Sequence, residues 1–147
     1  MYAQFNDIVK AACARKPKRT IAIAAAADNK MIHVAQAVTD LDLCDVILVG
    51  DEDRSEELVD EKDDKKVGIR AVELVSLGRA DVFVKGKMNT SDFLRAVLNK
   101  EVGLRTGRQL NVLTCYDVPG EKKLFFITDG GMTVAPSLED KVEILKN

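Results

Sequence analysis

Three short apolar segments alternate with helix-like segments, and this alternation limits the possible folds more than any other feature of the chain. The apolar segments are TIAIAAAAD (20–28), DVILVGD (45–51) and ADVFVKG (80–86). Apolar residues recur at helical spacing in the stretches that follow them, which begin near Asn29 and Lys62 and, after the third segment, at Ser91. A β-α-β-α-β-α order is typical of a parallel sheet flanked by helices. We therefore predict a single α/β domain over residues 1–147.

The chain beyond residue 100 predicts an antiparallel addition to this sheet. Asn111 to Val118 and Lys123 to Thr128 are strand-like, and only PGEK separates them. That spacing suits a hairpin and is too short for a helical crossover. A last helix is expected after Ser137, with Asp140 placed three residues on as in a capping box. The predicted class is α/β, mostly parallel, with an antiparallel hairpin in the sheet.

Composition and charge exclude several kinds of partner. The chain has 147 residues, with 22 basic and 24 acidic side chains and a net charge of −2, so no overall field attracts nucleic acid or acidic membranes. Cys13, Cys44 and Cys115 lack the spacing of a disulfide framework or a zinc site. No apolar run reaches the roughly 18 residues of a membrane span. We expect a cytoplasmic protein with no metal, nucleic-acid or membrane partner.

The segment VKGKMNTSD (84–92) is the strongest candidate for a binding site. It is predicted to lie at the carboxyl end of a central parallel strand, where ligands bind in open α/β sheets. Asn89 is expected to be the N-cap of the next helix, whose first N–H groups have no partner within the helix. Such groups bind phosphate oxygens. The hydroxyls of Thr90 and Ser91 and the charges of Lys85 and Lys87 complete this predicted site.

Three arginines extend the predicted phosphate site. Arg95 lies one helical turn beyond Ser91, and Arg105 and Arg108 lie on the glycine-bearing loop GLRTGR, which could fold over the same sheet edge. Guanidinium groups bind phosphate through two oxygens at once. N-caps and exposed lysines of this composition are also common where nothing binds, so the residues by themselves leave both interpretations open.

Longer segments of the chain resemble one enzyme family. They are IAIAAAAD, DVILVGDE, AVELVSLGRADVFVKGKMNTSDFLRAVLNKEVGLRTGR and LFFITDGGMTVAPSLEDKVEILKN. In this order they are similar to the phosphate acetyltransferase and phosphate butyryltransferase family, on the butyryltransferase side, most densely from Gly78 to Asn147. The resemblance implies the first domain of a two-domain fold related to isocitrate dehydrogenases. It also implies acyl transfer between coenzyme A and inorganic phosphate in a cleft between the domains.

The resemblance carries expectations for ligands and residues. Phosphate and a short-chain acyl-CoA would be the partners, with the coenzyme A thioester as substrate and no permanently bound cofactor. Thr90 and Ser91 occupy the family's hydroxyl-bearing helix start, and Arg95 its following arginine. Asn89 stands where relatives often carry histidine, and Thr133 where they often carry asparagine.

The segments that resemble the family have no counterpart of its C-terminal part. That part supplies a serine-arginine pair and the aspartate proposed as the base for the thiol. We therefore expect the chain by itself to bind phosphate better than it turns over substrate. Because a free thiol has a pKa of about 8.5, a base is needed, and Asp129 in TDGGM is the candidate here. A strand-end aspartate more often caps a turn.

Two other functions stay open at this stage. One is a non-catalytic module that binds phosphate or acyl phosphate. The other is a receiver-type signalling domain, although IAIAAAADN lacks the adjacent acidic pair of a magnesium site. A dinucleotide-binding domain is weaker, since no GxGxxG follows the first strand. The acyl-chain preference and a homo-oligomeric state also remain open.

Overall fold

A computed structural model describes residues 2–24, 29–50 and 64–147. Five helices and five strands lie in these ranges. The helices are α1 (Phe5–Ala14), α2 (Asn29–Asp40), α3 (Asp64–Ser76), α4 (Thr90–Val97) and α5 (Leu138–Lys146), and the strands are β1 (Thr20–Ala24), β2 (Asp45–Val49), β3 (Val82–Lys85), β4 (Leu113–Tyr116) and β5 (Phe125–Thr128). The predicted order of strands and helices is confirmed, while the predicted strand ends at Asp28 and Asp51 lie outside the described residues.

Strands β1, β2 and β3 form a parallel sheet in the order β2-β1-β3. Ala24 pairs with Val49 on one side and with Lys85 on the other, so the carboxyl ends of the three strands meet at one edge. The parallel α/β architecture is confirmed. The prediction that the strand before VKGKMNTSD is central is wrong within the described strands, because β1 occupies the centre and β3 lies beside it.

The antiparallel pair is present but is not part of this sheet. Strands β4 and β5 pair with Thr114 opposite Ile127, which confirms the predicted hairpin. The expectation that it would sit in the main sheet is wrong, since β4 and β5 form a two-stranded sheet of their own. Their side chains give the reason: Leu113 and Phe126 are exposed, whereas strands of a helix-flanked parallel sheet are buried on both faces.

The chain divides into two compact units. One unit comprises Ala12–Arg105 and holds the parallel sheet with α2, α3 and α4. The other comprises Met1–Ala11 with Thr106–Asn147 and holds β4, β5 and α5. That residues 1–147 form one domain stays a prediction. In the described ranges, no helix combines the length and apolarity needed to cross a membrane.

The core of the 12–105 unit forms around β1. Ala22, Ile23 and Ala24 have no solvent exposure, and the small side chains of Ala22 and Ala24 let α3 pack closely on the sheet. Helix α3 contributes Val67 and Ala71 among its buried residues. Full burial of a valine side chain such as that of Val67 stabilises the fold by about 1.5–3 kcal/mol. This packing fixes the sheet edge at which β3 ends.

Helix α4 is held close to α3 and to the sheet. A Cβ atom on Gly68 of α3 would lie 2.9 Å from the Met88 Cε atom and 3.3 Å from the Ala96 Cβ atom, so a larger residue at this position would require Met88 and α4 to shift. The rings of Phe83 and Phe93 stack with centroids 4.7 Å apart. The position of the α4 start is therefore set by contacts on two sides.

Two helix ends follow their sequence signals. Gly78 follows the end of α3 with a φ of 72°, and the N–H groups of Gly78 and Arg79 donate to the Val75 and Leu74 carbonyls. This is the hydrogen-bond pattern of a Schellman motif. At α5, Ser137 and Asp140 form the predicted capping box, which is thereby confirmed.

The loop after α4 is tight at Gly103. The Asn99 Oδ1 atom accepts hydrogen bonds from the Glu101 and Val102 N–H groups at 2.8 and 3.1 Å. The Leu104 N–H donates to the Val97 carbonyl at 2.8 Å. These bonds close the loop against the end of α4 and lead directly into the segment that carries the next arginine.

We expect Gly103→Ala to destabilise the protein by about 1–3 kcal/mol, the usual range for overpacking. An added Cβ would lie 2.2 Å from the Asn99 carbonyl oxygen, which is backbone and cannot turn away. Urea unfolding measures the change. Gly130→Ala is the matched control, because a Cβ there meets nothing within 4 Å, and it should stay within about 0.5 kcal/mol of wild type. Equal stability of both variants would contradict the tight loop.

Candidate functional site

The β3–α4 junction is short and internally braced. The Gly86 N–H donates to the Ala24 carbonyl at 2.9 Å, which extends the sheet hydrogen bonding by one residue. The Lys85 Nζ atom donates to the Met88 carbonyl at 2.9 Å. Lys85 therefore closes the loop that leads into α4, while Lys87 lies on the exposed part of that loop. The positive charge of both residues remains at the sheet edge.

The start of α4 lacks a side-chain cap. Asn89 has the extended backbone of an N-cap, as predicted, but its side chain makes no capping hydrogen bond. Its carbonyl accepts the Asp92 and Phe93 N–H groups at 3.1 and 3.0 Å. Asn89, Thr90 and Ser91 are all exposed. The first-turn N–H groups and two hydroxyls thus occur together at an accessible helix end, which suits an anion.

Behind this start lies a buried carboxylate whose function the sequence patterns did not reveal. Asp92 is 9% exposed and is the buried charged residue of the described chain. Its Oδ1 atom accepts a hydrogen bond from the Arg95 Nη1 atom at 3.1 Å. An acid followed three positions later by arginine is a known ion-pair spacing on helices. This spacing is the sequence signal by which the Asp92–Arg95 pair could have been found. Arg95 is thus already engaged beside the helix start.

The other predicted site residues are distributed over both units. Arg105 is exposed and ends the 12–105 unit. Arg108 belongs to the unit with residues 106–147, follows Gly107 with a φ of 78°, and its Nη2 atom lies 3.5 Å from the Glu143 Oε2 atom. The structure therefore brings together one group at the β3–α4 junction, namely Lys85, Lys87, Asn89, Thr90, Ser91 and Arg95. Arg108 and Asp129 are described within the other unit.

Asp129 acts as an acceptor that shapes its own loop. Its φ is 54°, in the left-handed region, and its carboxylate accepts the Met132 N–H at 3.1 Å and the Thr133 N–H at 2.9 Å. The Thr133 side-chain hydrogen bond, followed by these backbone bonds, holds the pKa of the Asp129 carboxyl below its usual range. A carboxylate so stabilised is a weak proton acceptor near neutral pH. A catalytic role for Asp129 stays a prediction.

Polar side chains tie this loop to α5. The Gln109 Nε2 atom donates to the Thr133 hydroxyl at 2.7 Å, and the Asn111 Nδ2 atom donates to the Thr128 hydroxyl at 3.0 Å and the Ile144 carbonyl at 3.2 Å. Beside them lies an open, mostly apolar pocket of about 330 Å³. Its lining residues are Thr128, Asp129, Pro136, Lys141, Ile144 and Leu145. This pocket belongs to the unit with residues 106–147 and not to the α4 start.

Comparison with known proteins identifies the class. The family described as phosphate acetyl/butaryl transferase matches residues 61–147. Phosphate butyryltransferase of Clostridium acetobutylicum is 36% identical over 160 residues, covering 100% of this chain and 53% of the relative. That of Clostridium beijerinckii is 38% identical over 144 residues, covering 89% of this chain and 48% of the relative. The chain belongs to the phosphate acetyl- and butyryltransferase family.

A solved structure supports the fold. The crystal structure of a branched-chain phosphotransacylase from Enterococcus faecalis superposes with a TM-score of 0.74 at 23% identity. The match covers 88% of this chain and 49% of that one. The chain spans about half the length of the relatives it matches. The resemblance read from the sequence, to the first part of a phosphotransacylase, is confirmed.

We expect the Asp129 carboxyl to titrate below about 3.9, the ordinary value for aspartate, because hydrogen bonds stabilise its charged form. A lowered pKa adds stability that is present above the unfolded-state value and is lost as the pH falls through the folded-state value. Asp129→Asn should therefore be less stable than wild type at pH 7, and the difference should shrink below about pH 4. NMR titration and urea unfolding measure the two effects.

The exposed acid Glu121 supplies the control for this titration. Glu121→Gln should destabilise the protein less than Asp129→Asn at pH 7, because removing its charge breaks none of the hydrogen bonds that hold the Asp129 loop. A midpoint for Asp129 above about 4 would contradict the loop role and restore the residue as a candidate base.

Proposed function

We propose that this chain is the phosphate-binding part of a phosphate acyltransferase, which transfers a short acyl group between coenzyme A and inorganic phosphate. Membership of the family supports the reaction class. The names of the relatives from the two Clostridium species support a butyryl-sized acyl group. Phosphate and a short-chain acyl-CoA are then the partners, the thioester is a substrate, and the proposed setting is the cytoplasm.

The observation that supports this proposal most directly is the uncapped start of α4 at the carboxyl edge of the parallel sheet. The Asn89 side chain makes no capping bond, and Thr90 and Ser91 are exposed. A helix start attracts anions through its free N–H groups and the positive end of the helix dipole. Lys85 and Lys87 precede this helix start, and Arg95 lies further along the same helix. We assign the phosphate, or the phosphate group of the acyl phosphate, to this place.

The reaction requires a site that positions the phosphate group and stabilises the negative charge on it. In the direction of thioester synthesis, the coenzyme A thiolate attacks the carbonyl carbon of the acyl phosphate. A carbon–sulfur bond forms, the carbon–oxygen bond to phosphate breaks, and phosphate leaves with the electron pair. Groups that hold the phosphate therefore stabilise the negative charge that develops on it as it departs. The thiol proton must go to a base before or during the attack.

One geometric observation favours a second candidate, a module that binds phosphate or acyl phosphate without turnover. The Asp129 carboxylate accepts hydrogen bonds from its own loop and has a lowered pKa. General base catalysis contributes typically 10²–10⁴-fold, so a weak base leaves acyl transfer slow even when phosphate is well bound. The two functions share the α4 site and differ in whether thiol is released.

We expect inorganic phosphate to bind at the start of α4, and NMR chemical-shift mapping should show the largest changes at Asn89, Thr90 and Ser91. The start of α5 is an internal control, because the Ser137 and Asp140 side chains already accept two of the N–H groups there. It should show little change. Largest shifts at Ser137, or near residues 29–34 after β1, would contradict the assignment.

We expect the purified chain to release thiol from butyryl-CoA in a phosphate-dependent manner, but well below the ordinary enzyme rate of about 10 s⁻¹. A thiol-reactive dye measures the release. Arg95→Met should reduce it, because phosphate loses a cationic partner, whereas Arg15→Lys, which keeps the charge at an exposed position of the 12–105 unit, should not. No phosphate-dependent release, with phosphate binding intact, would favour the binding module. Turnover near 10 s⁻¹ would contradict the weak-base account.

A further inference from the structure

We propose that Asp92 is a positioning residue, which holds the Arg95 guanidinium folded back over the first turn of α4 so that it is in place when phosphate binds. This inference rests on the proposed phosphate site. It assigns a function to a buried acid that neither the family match nor the reaction itself explains.

The burial of Asp92 needs an explanation. The residue is 9% exposed, and a buried carboxylate is unfavourable unless it is paired and hydrogen-bonded. The Arg95 Nη1 atom donates to it at 3.1 Å, while the Arg95 side chain is 72% exposed. A pair whose cation lies largely in water gains little stability. Stability of the pair is therefore a weak reason for placing an acid here, and the orientation of Arg95 is a stronger one.

The helix geometry gives the direction in which Arg95 is held. Side chains three residues apart share one helix face, and Cα–Cβ bonds tilt toward the helix N-terminus. Reaching Asp92 at the third helical position therefore draws the guanidinium back toward Thr90 and Ser91. A guanidinium has five N–H donors, and one is directed at Asp92. The remaining donors can then bind phosphate at the predicted position.

Asp92 is itself held by a rigid part of the fold. Its carbonyl oxygen lies 3.9 Å from where a Cβ atom of Gly68 would stand, which places it against α3. The next residue, Phe93, stacks on Phe83 of β3. A polar group orients a functional side chain well only when its own position is fixed by packing. Asp92 meets this condition because its neighbours are packed on both α3 and the sheet.

Electrostatic repulsion by Asp92 would affect phosphate binding in the opposite direction to positioning of Arg95, so an experiment can separate the two effects. A carboxylate in the first turn repels an anion and neutralises Arg95. If this repulsion dominated, removing the charge would tighten phosphate binding. If positioning dominates, removing it leaves Arg95 to be ordered by phosphate alone, and binding weakens. The direction of the change in the phosphate Kd decides between them.

The test measures the phosphate Kd of Asp92→Asn by NMR titration. We expect binding to weaken by about 2- to 12-fold, the equivalent of ordering one long side chain on binding. In an Arg95→Met background the same substitution should leave the Kd unchanged, which a purely structural effect would not do. Glu73→Gln is the matched control, because Glu73 pairs with Arg70 at the same three-residue spacing on α3. It should leave the Kd unchanged.

The outcomes separate the failure of this inference from that of the proposed function. No phosphate binding by wild type at α4 would overturn the proposed function. Wild-type binding with an unchanged or tighter Kd in Asp92→Asn would overturn the positioning role alone. If Asp92→Asn fails to fold, the order of the Arg95 Nε–H group in phosphate-free wild type gives the answer. A guanidinium as mobile as that of exposed Arg15 would overturn the inference, and an ordered one would support it.

Discussion

The burial of β1 is the constraint on which the 12–105 unit depends. Ala22, Ile23 and Ala24 have no solvent exposure, and Ala22 and Ala24 lie in one core cluster with residues of α3. Because both of these β1 residues are alanine, α3 approaches the sheet closely. Gly68 then lets α4 approach α3. The close packing of β1, α3 and α4 consequently places the start of α4 at the sheet edge, without a contribution from its polar side chains.

Two helix starts in this chain show how similar sequence signals differ in function. Both Asn89-Thr90-Ser91-Asp92 and Ser137-Leu138-Glu139-Asp140 place a capping residue before an acid three positions on. At α5 each of the two side chains accepts the backbone N–H of the other residue. At α4 the acid turns toward Arg95 and the cap residue makes no side-chain bond. The α5 start is closed by its own residues, and the α4 start is left open to solvent.

Much of the fold could be predicted from the sequence because its signals are local. Apolar runs of strand length, helical periodicity and the Gly78 and Ser137 boundaries each depend on neighbouring residues. The separate β4–β5 sheet could not be predicted in this way, because the assignment of a strand to a sheet depends on which of its faces other parts of the fold bury. The exposure of Leu113 and Phe126 is a tertiary property that alternation alone does not reveal. The Asp92–Arg95 pair lies between these cases, because its spacing is visible in the sequence and its burial is not.

The division of the chain into units has a consequence for the order in which the protein can form during synthesis. The 12–105 unit is continuous, so all of its internal contacts involve residues made before position 106. The other unit joins Met1–Ala11 to Thr106–Asn147, and the Phe5 N–H donates to the Asp117 carboxylate at 2.9 Å across 112 positions. Domains generally fold as units, N-terminal first, as the chain leaves the ribosome. Residues 1–11 therefore cannot complete their unit until residues 106–147 have been synthesised, whereas the parallel sheet can assemble as soon as residue 105 has left the ribosome.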